Sequence, residues 1–123
     1  MLTKEQAVTK HKEMWMWIYE QTLLRKIKVS KGSYFISYFN NREIRRNDLP
    51  YCDCFCCEYA AQIARSFNEH LSRRCKYCPL EWGLGGCMEE NAFYNEWENT
   101  SNVEYNKAAE LALKIANLPL KEE

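Results

Sequence analysis

Residues 3–28 read TKEQAVTKHKEMWMWIYEQTLLRKIK, and this stretch decides the fold class. Thr3 followed by Gln6 is a capping-box pattern, in which each side chain satisfies the other residue's free backbone N–H. No Gly or Pro interrupts the residues after it, so a helix is predicted from about Lys4 to Lys28. At ~100° per residue, Ala7, Val8, His11, Met14, Trp15, Ile18 and Thr22 share one face, the period of a core-facing stripe. His11 on that stripe reads as a hydrogen-bonded structural histidine rather than a catalytic one. The opposite side is unusual, because Met16, Leu23 and Ile27 gather there with Trp17 and Leu24 at the flank. A solvated back would be Lys, Glu and Gln. Either the helix is sandwiched inside the fold or part of that surface meets another chain. Interfaces draw most of their energy from a few aromatic, Met and Arg anchors, so Met16, Trp17, Leu23 and Leu24 are the candidate partner-binding residues.

Outward from this helix, Val29 to Asn40 is rich in aromatic and β-branched residues without clean alternation, and it is assigned to a second, short helix beginning near Ser33. NNREIRRNDLP (40–50) has turn residues at both ends and reads as a loop carrying Arg42, Arg45 and Arg46. Helical period returns from Cys57 to Ser72, with Ala60, Ile63, Ala64, Phe67 and Leu71 as its stripe. Pro79 and the WGLGG stretch (82–86) then end regular structure. Ser101 with Glu104 forms a second capping-box pattern, and Ala108, Leu111, Ala112 and Ile115 mark a last helix that ends before Pro119. The expectation is a mainly α protein, a small single helical domain over residues 1–123, with no internal repeat or linker.

Composition agrees with one domain. The chain has 123 residues, 46% hydrophobic and 14% aromatic, enough to fill a single core. The longest uncharged apolar run, Met14 to Tyr19, is far below the ~20 residues of a membrane span. The start, MLTKEQAV, lacks the pattern of a secretory signal, so a cytoplasmic location is expected. A formal net charge of zero hides a split: residues 1–80 carry 14 Lys/Arg against 8 Asp/Glu, and residues 81–123 carry 3 against 9. The pI near 6.7 falls short of a strongly basic nucleic-acid-binding domain, and the acidic end is expected to fold back on the basic part.

Seven cysteines, an odd number, suit a metal site better than disulfides in a reducing compartment. Cys54-x2-Cys57 and Cys75-x2-Cys78 are the strongest signal in the chain. Two residues between cysteines let a tight turn aim both thiolates at one metal, and two such turns supply the four sulfurs of tetrahedral zinc. Four thiolates leave no position for an activated water, so this Zn2+ would be structural, a zinc knuckle pair that contributes to folding. Cys52 and Cys56 offer an alternative pair with a less usual spacing, and His70 could replace a cysteine.

The spacing coincides with that of GATA-type DNA-binding fingers, but the order of elements is reversed. In those fingers the helix comes after the second pair, whereas here EYAAQIARSFNEHLSRR (58–74) has helical period between the pairs and Pro79 directly follows the last ligand. Zinc nucleoside deaminases need an H-x-E element to accompany P-C-x-x-C, whereas His70 is followed by Leu71 and Ser72 and no Pro directly precedes Cys54 or Cys75. Glu89 and Glu90 read as a solvated acidic loop rather than an acid/base pair, and GLGG lacks the Lys-Ser/Thr of a phosphate loop. The chain is therefore not expected to be an enzyme.

HKEMWMWI (11–18), CFCCEYA (54–60), CKYCPLEW (75–82) and KIANLP (114–119) together resemble a set of small proteins encoded by bacteriophages and prophages of low-GC Gram-positive bacteria, known by sequence rather than by activity. The resemblance implies a metal on Cys54, Cys57, Cys75 and Cys78, with Cys87 as an auxiliary group after Trp82. It implies no activity; if the chain is phage-encoded, the expected partner is a host protein, bound in the host cytoplasm for host takeover or anti-defence. A homodimer is a further expectation, and no membrane is involved. The competing class is a zinc-dependent nucleic-acid-binding regulator using Arg42, Arg45, Arg46, Arg73, Arg74 and Lys76.

Overall fold

A computed structural model describes residues 3–34, 55–70, 77–81 and 92–120. Its helices are α1 (Lys4–Arg25), α2 (Phe55–Ser66), α3 (Phe93–Glu98) and α4 (Tyr105–Ala116), and residues 31–34 are also helical. The protein is mainly helical: among the described residues β pairing is confined to a single bridge, Leu80 with Leu120.

The capping box at the start of α1 forms as its sequence predicts. The Gln6 N–H donates to Thr3 Oγ1 at 3.1 Å, and the Thr3 N–H donates to Gln6 Oε1 at 3.0 Å. Along α1 the buried residues are Ala7, His11, Met14, Trp15, Ile18 and Thr22, with Val8 half-buried beside them. This face packs chiefly on α4, which presents Ala108, Leu111, Ala112 and Ile115. Ala108 and Ala112 on α4 alternate with the larger Leu111 and Ile115 in the core that holds Trp15 and Met14. Phe55, Tyr34 and Trp97 complete this core. A second buried cluster, Ala7, Cys56, Ala60, Cys78 and Leu80, lies where α2 meets the first turns of α1.

Five boundaries differ from the sequence reading. α1 stops at Arg25, not Lys28, because Lys26 turns left-handed (φ 55°, ψ 39°). The next N–H groups then bond elsewhere: Lys28 donates to Asn102 O at 3.2 Å and Val29 to Thr22 Oγ1 at 3.2 Å. The next helical stretch begins near Lys31 instead of Ser33, with Ser30 Oγ accepting from the Ser33 N–H at 3.1 Å as an N-cap.

α2 runs Phe55–Ser66 instead of Cys57 to Ser72. A Schellman ending stops it: Asn68 has φ 57°, Glu69 N donates to Ala64 O at 2.9 Å, and Asn68 N donates to Arg65 O at 3.0 Å. Phe67 therefore leaves the stripe and is 65% exposed, stacking on Tyr77 with ring centroids 5.7 Å apart. At the other end, α4 starts at Tyr105, so Ser101 and Glu104 form a turn before the helix and not its capping box. Ser101 N and Oγ both donate to Glu104 Oε1, at 3.3 and 3.0 Å, and these bonds hold the Glu104 carboxyl below its ordinary pKa.

α3 is an element the sequence reading did not contain. Its Trp97 is buried edge-on against Trp15, with centroids 4.9 Å apart and planes at 88°. The helix end is held by Lys28, whose Nζ donates to Glu98 O at 3.1 Å and Thr100 O at 3.0 Å. Carbonyls at a helix end lack intrahelical partners, so a cation here satisfies them. The loops assigned to Asn40–Pro50 and WGLGG, and the remainder of the Ser33–Asn40 segment after residue 34, lie outside the described residues.

Candidate functional site

The metal-ligand cysteines divide between described and undescribed segments. Cys57 lies in the first turn of α2 and is half-buried, while Cys78 comes after a short turn at Tyr77 and is buried. Cys54 and Cys75, the other two proposed ligands, lie outside the described residues, as do Cys52 and Cys87. Among the described residues no three His, Cys, Asp or Glu side chains converge on one point.

Cys56 and Cys57 have different surroundings, although they are neighbours. Cys56 is fully buried in the α1–α2 contact, with its Sγ 3.7 Å from the Ala7 carbonyl, which makes it a core side chain. Cys57 projects from the next position, outside that cluster. Cys78 belongs to the same cluster as Cys56, so it packs beside the first turn of α2. Four thiolates suit zinc, and of the four proposed ligands Cys57 and Cys78 are the described ones. His70, at the end of the α2 turn, is exposed.

The candidate partner surface also divides. Met16 and Trp17 are half-buried and pack against the main core. The Trp17 ring meets Tyr34 at 5.5 Å with planes inclined 67°, and the Arg25 guanidinium lies 6.0 Å from its centre. Leu23 and Leu24, by contrast, are 41% and 75% exposed. Ile27 joins them at 45%. The left-handed turn at Lys26 is what brings Ile27 off the helix and leaves it in solvent. Arg25 and Lys26 are exposed beside these residues, so the end of α1 is an apolar patch with a basic edge.

Other named candidates fall elsewhere. Arg42, Arg45, Arg46, Arg73, Arg74, Lys76, Glu89 and Glu90 lie outside the described residues. His11 is fully buried, and its Nε2–H donates to Ile115 O at 2.9 Å. Burial lowers its pKa from 6.5 to about 4, against the opposing effect of that hydrogen bond, so the ring is neutral at physiological pH. No helix among the described residues is long and apolar enough to cross a membrane.

Sequence reasoning missed one feature, a grouping of Lys28, Lys31, Tyr94 and Trp97. The Lys31 ammonium donates to Tyr94 Oη at 2.6 Å and lies 4.5 Å from that ring's centre, while Lys28 lies 4.4 Å over Trp97. No local spacing announces contacts between positions 63 or more apart. Set against known protein families, curated proteins and solved structures, the chain matches none of them.

Proposed function

We propose that the protein is a zinc-stapled helical module that binds another protein and inhibits it. The observation supporting this reading is the exposure of Leu23, Leu24 and Ile27 together at the end of α1. Isolated apolar side chains on a surface are ordinary, but three within one turn and the residues after it make a patch. The basic edge of Arg25 and Lys26 selects the partner's character: an apolar surface bordered by carboxylates. Met16 and Trp17 act behind the patch, since they pack against the core and hold its base. The resemblance to phage proteins supports a host protein as the target. Zinc on Cys54, Cys57, Cys75 and Cys78 would stiffen the scaffold that presents the patch.

The test places a photo-crosslinking residue at position 24 and compares the parent with a Leu23→Glu/Leu24→Glu variant in host cells. One host protein should crosslink to the parent and be lost from the variant. Both side chains are exposed, so thermal unfolding should move by no more than a few degrees. Equal capture by the variant, or its wholesale unfolding, would remove the patch from this role. A dimer in sedimentation that dissociates in the variant would reassign the patch to self-association.

A further inference from the structure

Val103 is 84% exposed, more than any other large apolar side chain among the described residues. It stands in the turn that leads into α4, beside Ser101 and Asn102, which are residues such turns ordinarily carry. Packing within the fold gives no reason for a valine there. A single apolar residue on a surface is ordinary, but this one has apolar neighbours. The Lys28 N–H donates to Asn102 O at 3.2 Å, so the Ile27–Lys28 peptide is bonded to the Asn102–Val103 peptide. Ile27 and Val103, far apart in the chain, therefore flank one hydrogen bond. Lys28 fixes the same junction through its side chain, whose Nζ donates to Glu98 O at 3.1 Å and Thr100 O at 3.0 Å just before the turn. The turn is thus held against the end of α1 in the folded chain, before any partner arrives.

We infer that the docking surface crosses this junction, and that Val103 is a binding residue for the same partner as Leu23, Leu24 and Ile27. The inference rests on the reading of the α1 end as a partner site and extends it to a second element. A surface assembled from two elements that are already bonded together needs little ordering on binding, which favours affinity. The occupant is a foreign protein whose apolar face is bordered by carboxylates, not a second copy of this chain. Lys26 is exposed between Leu24 and Ile27, inside the apolar stretch. Two copies pairing about a two-fold axis on this face would set Lys26 near its own copy, like charge against like, whereas a partner carboxylate meets it favourably.

The experiment uses the full chain with the photo-crosslinking residue at position 103, beside the same label at position 24 and a control at position 13, which is exposed farther back on α1. Position 103 should capture the same host protein as position 24, and position 13 should not. Against that protein once purified, Val103→Asp should weaken binding about tenfold or more, because it sets a carboxylate into an apolar contact bordered by carboxylates. Val103 is exposed, so thermal unfolding of this variant should move by no more than a few degrees. Lys26→Glu should slow association severalfold at low salt, and faster association would overturn the acidic character of the partner. Capture at 24 without capture at 103, equal capture at 13, or equal affinity of Val103→Asp would overturn the inference and leave the α1 reading standing. Capture at neither 24 nor 103 would remove both. A crosslink from 103 to a second copy of the chain would overturn the choice of occupant.

Discussion

His11 shows at the residue scale what burial does to a titratable group in this core. The unfolded chain protonates it near 6.5 and the folded chain only near 4, so between those values the unfolded state binds more protons. Its contribution is therefore intact above pH 6.5, declines as pH falls, and reaches its limit below about pH 4. The difference corresponds to about 3 kcal/mol of stability lost across that window. Urea unfolding at pH 7 and pH 4.5 should show this loss in the parent, and a His11→Gln variant should show a flatter dependence. Trp15 makes the complementary point for packing, because it is 1% exposed and meets both Tyr94 and Trp97 edge-on. Trp15→Ala should cost roughly 3–5 kcal/mol in chemical denaturation, the range for removing a large aromatic from a core. Both residues were legible in advance, because the stripe from Ala7 to Thr22 follows helical period without a break. Trp97 was not, since its helix supplies too few residues to display any period.

At the scale of elements, the helix faces were easier to read than the helix ends. α4 buries Ala108, Leu111, Ala112 and Ile115 as its sequence spacing predicts, and Thr3 caps α1 through the predicted box. The ends depend on single left-handed residues. Asn68 could have been read as such a stop, since asparagine tolerates that conformation, but the apolar Phe67 and Leu71 extended the apparent stripe past it. Lys26 gave no local signal at all: its conformation is set by bonds that Lys28 and Val29 make to Asn102 and Thr22. Asn68→Gly should accordingly leave stability near that of the parent, while Asn68→Val should lower it by about 1–2 kcal/mol through left-handed strain. Thermal unfolding of the two variants side by side is the measurement. Loss of stability in Asn68→Gly equal to that in Asn68→Val would show that the asparagine side chain, and not its backbone conformation, ends α2.

For the whole molecule, the charge split along the chain is met in a way that composition does not reveal. Acidic and basic parts do come together, but Lys28 reaches backbone carbonyls and an indole ring, and Lys31 reaches a tyrosine. The clustering of apolar residues at the end of α1 was legible as an excess over one core-facing stripe. Which of them stay in solvent was not, because that depends on Tyr34 meeting Trp17 and on the turn at Lys26. In the proposed zinc-stapled scaffold the two CxxC turns form one unit, a reading supported by Cys78 packing beside the first turn of α2. Native mass spectrometry of the purified chain tests that claim most directly. It should find one zinc per chain, lost with cooperative folding in Cys57→Ser or Cys75→Ser and retained in Cys56→Ala; full zinc retained by the Cys57→Ser/Cys75→Ser double variant would contradict it.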